Sequence, residues 1–162
     1  MSAIFSPCGL YRYELRRHWG PADSSNVMAF CLINPSKAGA IKGDQTTTIG
    51  MGFAKRAGCD GMAFYNLYAF ASKDPAHMLA QRDPIGPEND KYLRQAALEF
   101  PCIICAWGVN ADPDRAMAVV NILKAEGARL YCLGTTKGGH PRHPLRLPYS
   151  TLIVPYHHRG AA

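Results

Sequence analysis

Four short runs of apolar residues constrain this chain more than anything else in it: VMAFCLI (Val27 to Ile33), GMAFYNL (Gly61 to Leu67), CIICAW (Cys102 to Trp107) and ARLYCLG (Ala128 to Gly134). Near-continuous apolar runs of this length read as strands covered on both faces, as in a parallel sheet. Parallel neighbours need long crossovers, and the intervening segments are long enough to supply them. The expected fold is therefore α/β, a three-layer sandwich around a central, mostly parallel four-stranded sheet with helices on both faces.

The connecting segments fill in this outline. The opening YRYELRRHW alternates Tyr11, Tyr13 and Leu15 with Arg12, Glu14 and Arg16, a period of two that predicts an N-terminal edge strand with one wet face. SKAGAIKGDQTTTIG reads as a loop that carries the polar cluster Asp44-Gln45-Thr46, and residues about 49 to 57 read as a short helix. Pro87 is placed to open a helix that runs to about Leu98. Asp112-Pro113 opens another through about Ala125, stopped at Gly127. No repeat, low-complexity tract or linker divides the 162 residues, so one domain is expected over 1–162, with a flexible tail from about 157 to 162.

Composition bears on partners and compartment. Eighteen Lys and Arg against twelve Asp and Glu leave a net charge of +6. Residues 127–162 carry five basic side chains (Arg129, Lys137, Arg142, Arg146, Arg159) and no acidic one, so a polyanion would touch this end. No window approaches the length of a membrane span, and no targeting segment is read at the start; a soluble cytoplasmic protein with no membrane partner is expected. The six cysteines sit mostly in apolar runs, where a thiol behaves as a small hydrophobe. Cys102 and Cys105 fall on a strand where positions three apart face opposite sides, and no second pair follows at zinc spacing, so no metal or other cofactor is expected.

In an open α/β sheet the ligand crevice lies beyond the carboxyl ends of the strands. The polar residues that follow the four runs are therefore the candidates for chemistry. Asn34 and Asn66 each offer one acceptor and two donors in a plane, which suits a base edge, although an asparagine after a strand is also an ordinary turn former. His143 can donate a hydrogen bond to an oxygen that gains negative charge, or be a loop histidine without a role. Asp44 is the loop carboxylate best placed to activate water, or a solvated turn residue. Phe53 and Tyr68, in or near expected loops, are the aromatics to stack on a base. Ser36, Lys137, Gly138, Gly139 and Arg142 suit a phosphate, the glycines by letting backbone approach closely. The chain lacks G-x-x-x-x-G-K-[ST], G-x-G-x-x-G and G-x-S-x-G, so it offers no sequence warrant for a P-loop enzyme, a dinucleotide enzyme or a serine hydrolase.

The order LINPS (32–36), GDQTT (43–47), YNLYAF (65–70), DPIGPEND (83–90), AWG (106–108) and PRHPL (141–145) resembles the bacterial and phage family called domain of unknown function 1643, over nearly the whole chain. More distantly, the layout resembles the uracil-DNA glycosylase superfamily. Ile33-Asn34-Pro35-Ser36 is similar to its first-strand motif, with Asn34 at the water-positioning place. Asn66 matches its base-reading asparagine, and His143-Pro144-Leu145 its late histidine facing the base oxygen. PENDKYL and CIICAWG resemble the helix and third strand of its iron-cluster branch, but the cysteines do not match the cluster's ligand pattern. Asn34 is an amide where the fastest members carry an acid, and Leu-Arg-Leu replaces the wedge after His143-Pro144.

The resemblance implies a uracil-DNA glycosylase-like sheet and a hydrolase that recognises a nucleobase and cleaves an N-glycosidic bond in nucleic acid, modified bases included. Asn34 and His143 would be its catalytic residues by that match, with the loop carboxylate Asp44 as the candidate to replace the missing acid, and its partner a nucleic acid or nucleotide. Two alternatives stay open: a non-catalytic nucleic-acid or nucleotide-binding module, and a small-nucleotide hydrolase or transferase. The oligomeric state is not legible.

Overall fold

The computed structural model describes residues 1–37 and 43–159. Among these, one mixed sheet of seven strands is flanked by four helices. The strands are β1 (Ser2–Phe5), β2 (Arg12–His18), β3 (Val27–Leu32), β4 (Gly61–Asn66), β5 (Cys102–Cys105), β6 (Arg129–Cys132) and β7 (Val154–Pro155). The helices are α1 (Gln45–Arg56), α2 (Pro75–Leu79), α3 (Asn89–Glu99) and α4 (Pro113–Ala125). The sheet order is β1-β2-β4-β3-β5-β6-β7. Its centre, β4-β3-β5-β6, is parallel, while β1, β2 and β7 run antiparallel to their neighbours. The four apolar runs thus form the parallel core, in the order second, first, third, fourth.

Alternation along these strands splits the core into two apolar layers. Ala29, Cys31, Ile103 and Cys105 pack with Leu93 of α3 and Val119 of α4 on one face. Phe30, Leu32, Phe64 and Ile104 pack with Phe53 and Ala54 of α1 on the other. Helices on both faces agree with the α/β expectation. Cys31, Cys105 and Cys132 stand in register across β3, β5 and β6. Burial pushes the Cys31 thiol up to about 12, so it packs as an uncharged small hydrophobe. No described helix is long and apolar enough to cross a membrane.

Several sequence expectations are corrected. The strand expected at the edge from YRYELRRHW is β2, and it is not an edge, because β1 covers its outer side and neither face is wet. Its charges are paired beneath α3 instead: Arg16 meets Glu14 and Glu99, both at 2.6 Å, the Tyr65 hydroxyl donates to Glu14 at 2.7 Å, and the guanidinium lies over Phe100. The helix expected from residue 49 begins at Gln45, because Asp44 is its N-cap and accepts from the Thr47 amide at 2.8 Å. Pro87 does not open α3. Asp83 accepts from the Gly86 amide at 2.9 Å, and Gly86 adopts φ +90°, so DPIG is a side-chain-capped turn and the helix starts only at Asn89. The short α2, capped by Asp74, and strands β1 and β7 were not anticipated. By contrast α4 spans Pro113–Ala125 as read, with Asp112 accepting from the Arg115 amide and Gly127 at φ +90° behind it. Residues 38–42 of the expected loop and 160–162 of the expected tail lie outside the described residues.

Candidate functional site

The chain leaves β3, returns as β4 on one side of it, and later enters β5 on the other side. The loops after β3 and β5 therefore diverge, and a crevice opens between them at the carboxyl ends of the strands. A cleft of about 1140 Å³ lies there, lined by Asn34 and Ser36 after β3, Trp107 and Gly108 after β5, and Arg142 and His143 after β6. Asp44 closes it from the N-terminus of α1.

His143 is carried into the cleft by main-chain bonds that tie the PRHPL segment to AWG and to the end of the β6 run. The Gly108 amide donates to the Pro141 carbonyl at 2.9 Å and the Arg142 amide to the Gly134 carbonyl at 3.0 Å. Gly108 and Gly134 take φ of +74° and +86°, a conformation that glycine adopts without strain. Burial holds the imidazole below its ordinary pKa, against a smaller opposite pull from the Asp44 charge, so the ring is neutral at neutral pH. Its Nδ1 accepts from the Leu145 amide at 3.1 Å, which leaves the proton on Nε2. What His143 offers is one fixed donor.

Asn34 donates through Nδ2 to the carbonyls of Ser72 at 2.7 Å and Pro35 at 3.1 Å. With the amide nitrogen committed, its remaining offer is an acceptor, Oδ1. Asp44 accepts from the Thr47 amide and from the hydroxyls of Thr47 and Ser36. Burial opposes its charge, but these bonds and the nearby Arg12 outweigh it and hold the carboxyl below the usual carboxylate range. Held in this way, Asp44 is a weaker base than a free carboxylate, and what it offers the cleft is chiefly a fixed negative charge.

Asn66 does not line the cleft but ends β4 in register with Leu32, on the face that carries Phe64; both of those residues line it. The residue is 1% exposed, and among the described residues neither Nδ2 nor Oδ1 has a hydrogen-bond partner. Such a buried amide is expensive, about 1–3 kcal/mol per unsatisfied group. Its backbone is clamped from the opposite face: Asn89 Nδ2 donates to the carbonyls of Asn66 at 3.0 Å and Leu67 at 3.1 Å, and Arg115 Nε donates to Leu67 at 2.8 Å.

The remaining candidates lie elsewhere. Phe53 is buried on α1, edge-on to Tyr149, and Tyr68 is buried with its hydroxyl accepting from the Asp112 amide. The sequence places both in or near loops; the structure buries both in the core. Lys137, Gly138 and Gly139 form a tight turn closed by the Gly139 amide on the Thr136 carbonyl, outside the cleft lining. In their place the cleft gathers cations that sequence reasoning did not assign to it: Arg12, Lys37, Lys73 and Arg146. Arg12 is 3% exposed, pushed down to about 10 by burial and by Arg17 while Asp44 resists, and so stays charged at neutral pH. A strand residue of alternating pattern gives no linear signal for this; Lys73 and Arg146, close after candidate segments, had one. Among the described residues no group of three or more His, Cys, Asp or Glu is arranged to hold a metal.

These features define a class: an α/β protein with helices on both faces of a sheet whose central strands are parallel, and with a large cationic cleft at the point where the strand order reverses. The chain belongs to the family described as protein of unknown function (DUF1643), whose model matches residues 12–145. No curated protein matches it. No solved structure matches it either.

Proposed function

We propose that this protein is a nucleobase-recognising hydrolase of the DNA glycosylase type, built on a uracil-DNA glycosylase-like variant of the α/β fold. The observation that carries the reading is the buried Asn66 amide, unpartnered at both ends beside a cleft that already holds Asn34, Asp44 and His143. An unsatisfied planar donor–acceptor pair persists at such a cost where a ligand with a complementary edge completes it.

In this reading a nucleotide extruded from the stack enters the cleft, the side chains that separate Asn66 from it shift, and the exposed amide then reads its base edge. Nε2–H of His143 donates to the base oxygen that gains charge as the C1′–N bond breaks. The sugar becomes oxocarbenium-like, and the fixed charge of Asp44 stabilises it. Asn34 Oδ1 accepts a hydrogen bond from the water whose oxygen bonds to C1′. After attack the water's proton passes to the departing base anion, which leaves as neutral free base, so neither residue needs to be a strong base.

The test is a panel of single-stranded and duplex oligonucleotides carrying normal and modified bases, scored for free base by chromatography. The wild-type protein is expected to release at least one base, and His143→Ala to release it about 100-fold more slowly. Asn66→Leu is expected to abolish release while raising stability to urea by about 1 kcal/mol, since it removes the orphaned amide. No release from any substrate would overturn the reading. Salt-dependent binding without release would instead favour a non-catalytic binding module, a reading to which the weak basicity of Asp44 and Asn34 also lends weight.

A further inference from the structure

Arg146 is the one non-glycine among the described residues at positive φ, at +68°. The turn it sits in sets that conformation, but nothing in the turn calls for an arginine. The Leu147 amide closes a turn on the Pro144 carbonyl at 3.2 Å, and glycine or asparagine would occupy the middle of that turn without strain. A long cation held there, with its side chain lining the cleft, is a local cost that folding does not require.

The electrostatic surroundings repeat the point. Arg12, Lys37, Lys73, Arg142 and Arg146 line the cleft against one described carboxylate, Asp44, which already takes three hydrogen bonds. Arg146 and Arg142 are exposed, and among the described residues neither side chain makes a hydrogen bond or ion pair. An arginine fork left open beside a cleft is complementary to phosphate oxygens, which it grips bidentately.

We infer that Arg146 is a phosphate-binding residue, held in a left-handed conformation so that its guanidinium meets a ligand phosphate at the mouth of the cleft. This rests on the cleft being the ligand site, as in the reading above, but requires binding only and no base release. The shared chemistry is a phosphate anion, carried by a nucleic-acid strand or by a free nucleotide.

The test compares wild type, Arg146→Gly, Arg146→Asn and Arg146→Lys by fluorescence titration with a short single-stranded oligothymidylate, and by competition with thymidine triphosphate, over a range of salt. Gly and Asn are expected to keep or raise Tm, because the strain is relieved, and yet to weaken binding severalfold. The slope of log K against log salt should become shallower by about 0.7, the release expected for one strand phosphate, and Lys should retain most of it. Weakening confined to the oligothymidylate assigns the phosphate to a strand; weakening confined to the triphosphate assigns it to a nucleotide. Unchanged slope and affinity in a folded Gly variant would overturn the inference and leave the proposed reaction standing. A wild-type protein that binds neither probe would overturn the inference, while base release in the panel above decides the reaction separately, and a fall in Tm for Gly and Asn would show that Arg146 serves the fold instead.

Discussion

His143 couples the site to pH. Its imidazole is held below the ordinary value of 6.5, first by burial. As pH falls below that value, the unfolded chain takes up a proton that the folded chain resists. Stability is therefore full above about pH 6.5 and declines as pH drops through the folded pKa. Asp44, held below 3.8, acts in a separate window: its contribution is lost only as pH falls through that lower range. His158 is also lowered, chiefly by burial, so its contribution overlaps that of His143. The difference between wild type and His143→Gln isolates the one group. Thermal denaturation between about pH 7 and 5 should show Tm falling less steeply for the variant, and parallel curves would contradict the assignment. Base release should decline over the same range, because protonation removes the Nδ1 acceptor for Leu145 that fixes the ring.

At the scale of elements, α1 is the one that had to be seated closely. Gly50 faces β4, and a Cβ added there would lie 2.4 Å from Phe64 Cζ. Phe64 cannot yield easily, since its ring is packed edge-on against Phe30 at 5.5 Å and is 1% exposed. The close approach also sets where the N-cap of α1 falls, and with it Asp44 at the cleft. Gly50→Ala, usually favourable inside a helix, should here destabilise by about 1–3 kcal/mol. Urea unfolding measures it; a more stable variant would show that α1 can move off the sheet. The sequence offered IGMGF as a short helix in spite of its glycines. It could not say that one of these glycines is required by a phenylalanine on another element, because that demand exists only once helix and strand are packed.

Across the whole molecule the two apolar layers share one sheet, and each contains one of the two tryptophans. Trp107 is buried with the α3 and α4 layer, and Trp19 packs against the α1 layer. If the layers unfold as one unit, the single-tryptophan variants Trp19→Phe and Trp107→Phe should give coincident urea midpoints by fluorescence, after correction for the stability change of each substitution. Separated midpoints would show that the sheet divides. The sequence by itself determined the parallel core, because burial on both faces is written as four near-continuous apolar runs, and it determined α4, because Asp112, Pro113 and Gly127 are local signals. It also named Asn34 just after the β3 run, Asp44 in the polar loop that follows, and His143 in the segment after the β6 run, since the change from apolar to polar marks where strands give way to connections. Only tertiary structure decided that β1 shields β2, that Phe53 and Tyr68 belong to the core, and that Arg12 reaches the cleft. Each depends on which neighbours a side chain meets across the sheet, and linear order does not encode distance between segments far apart in the chain.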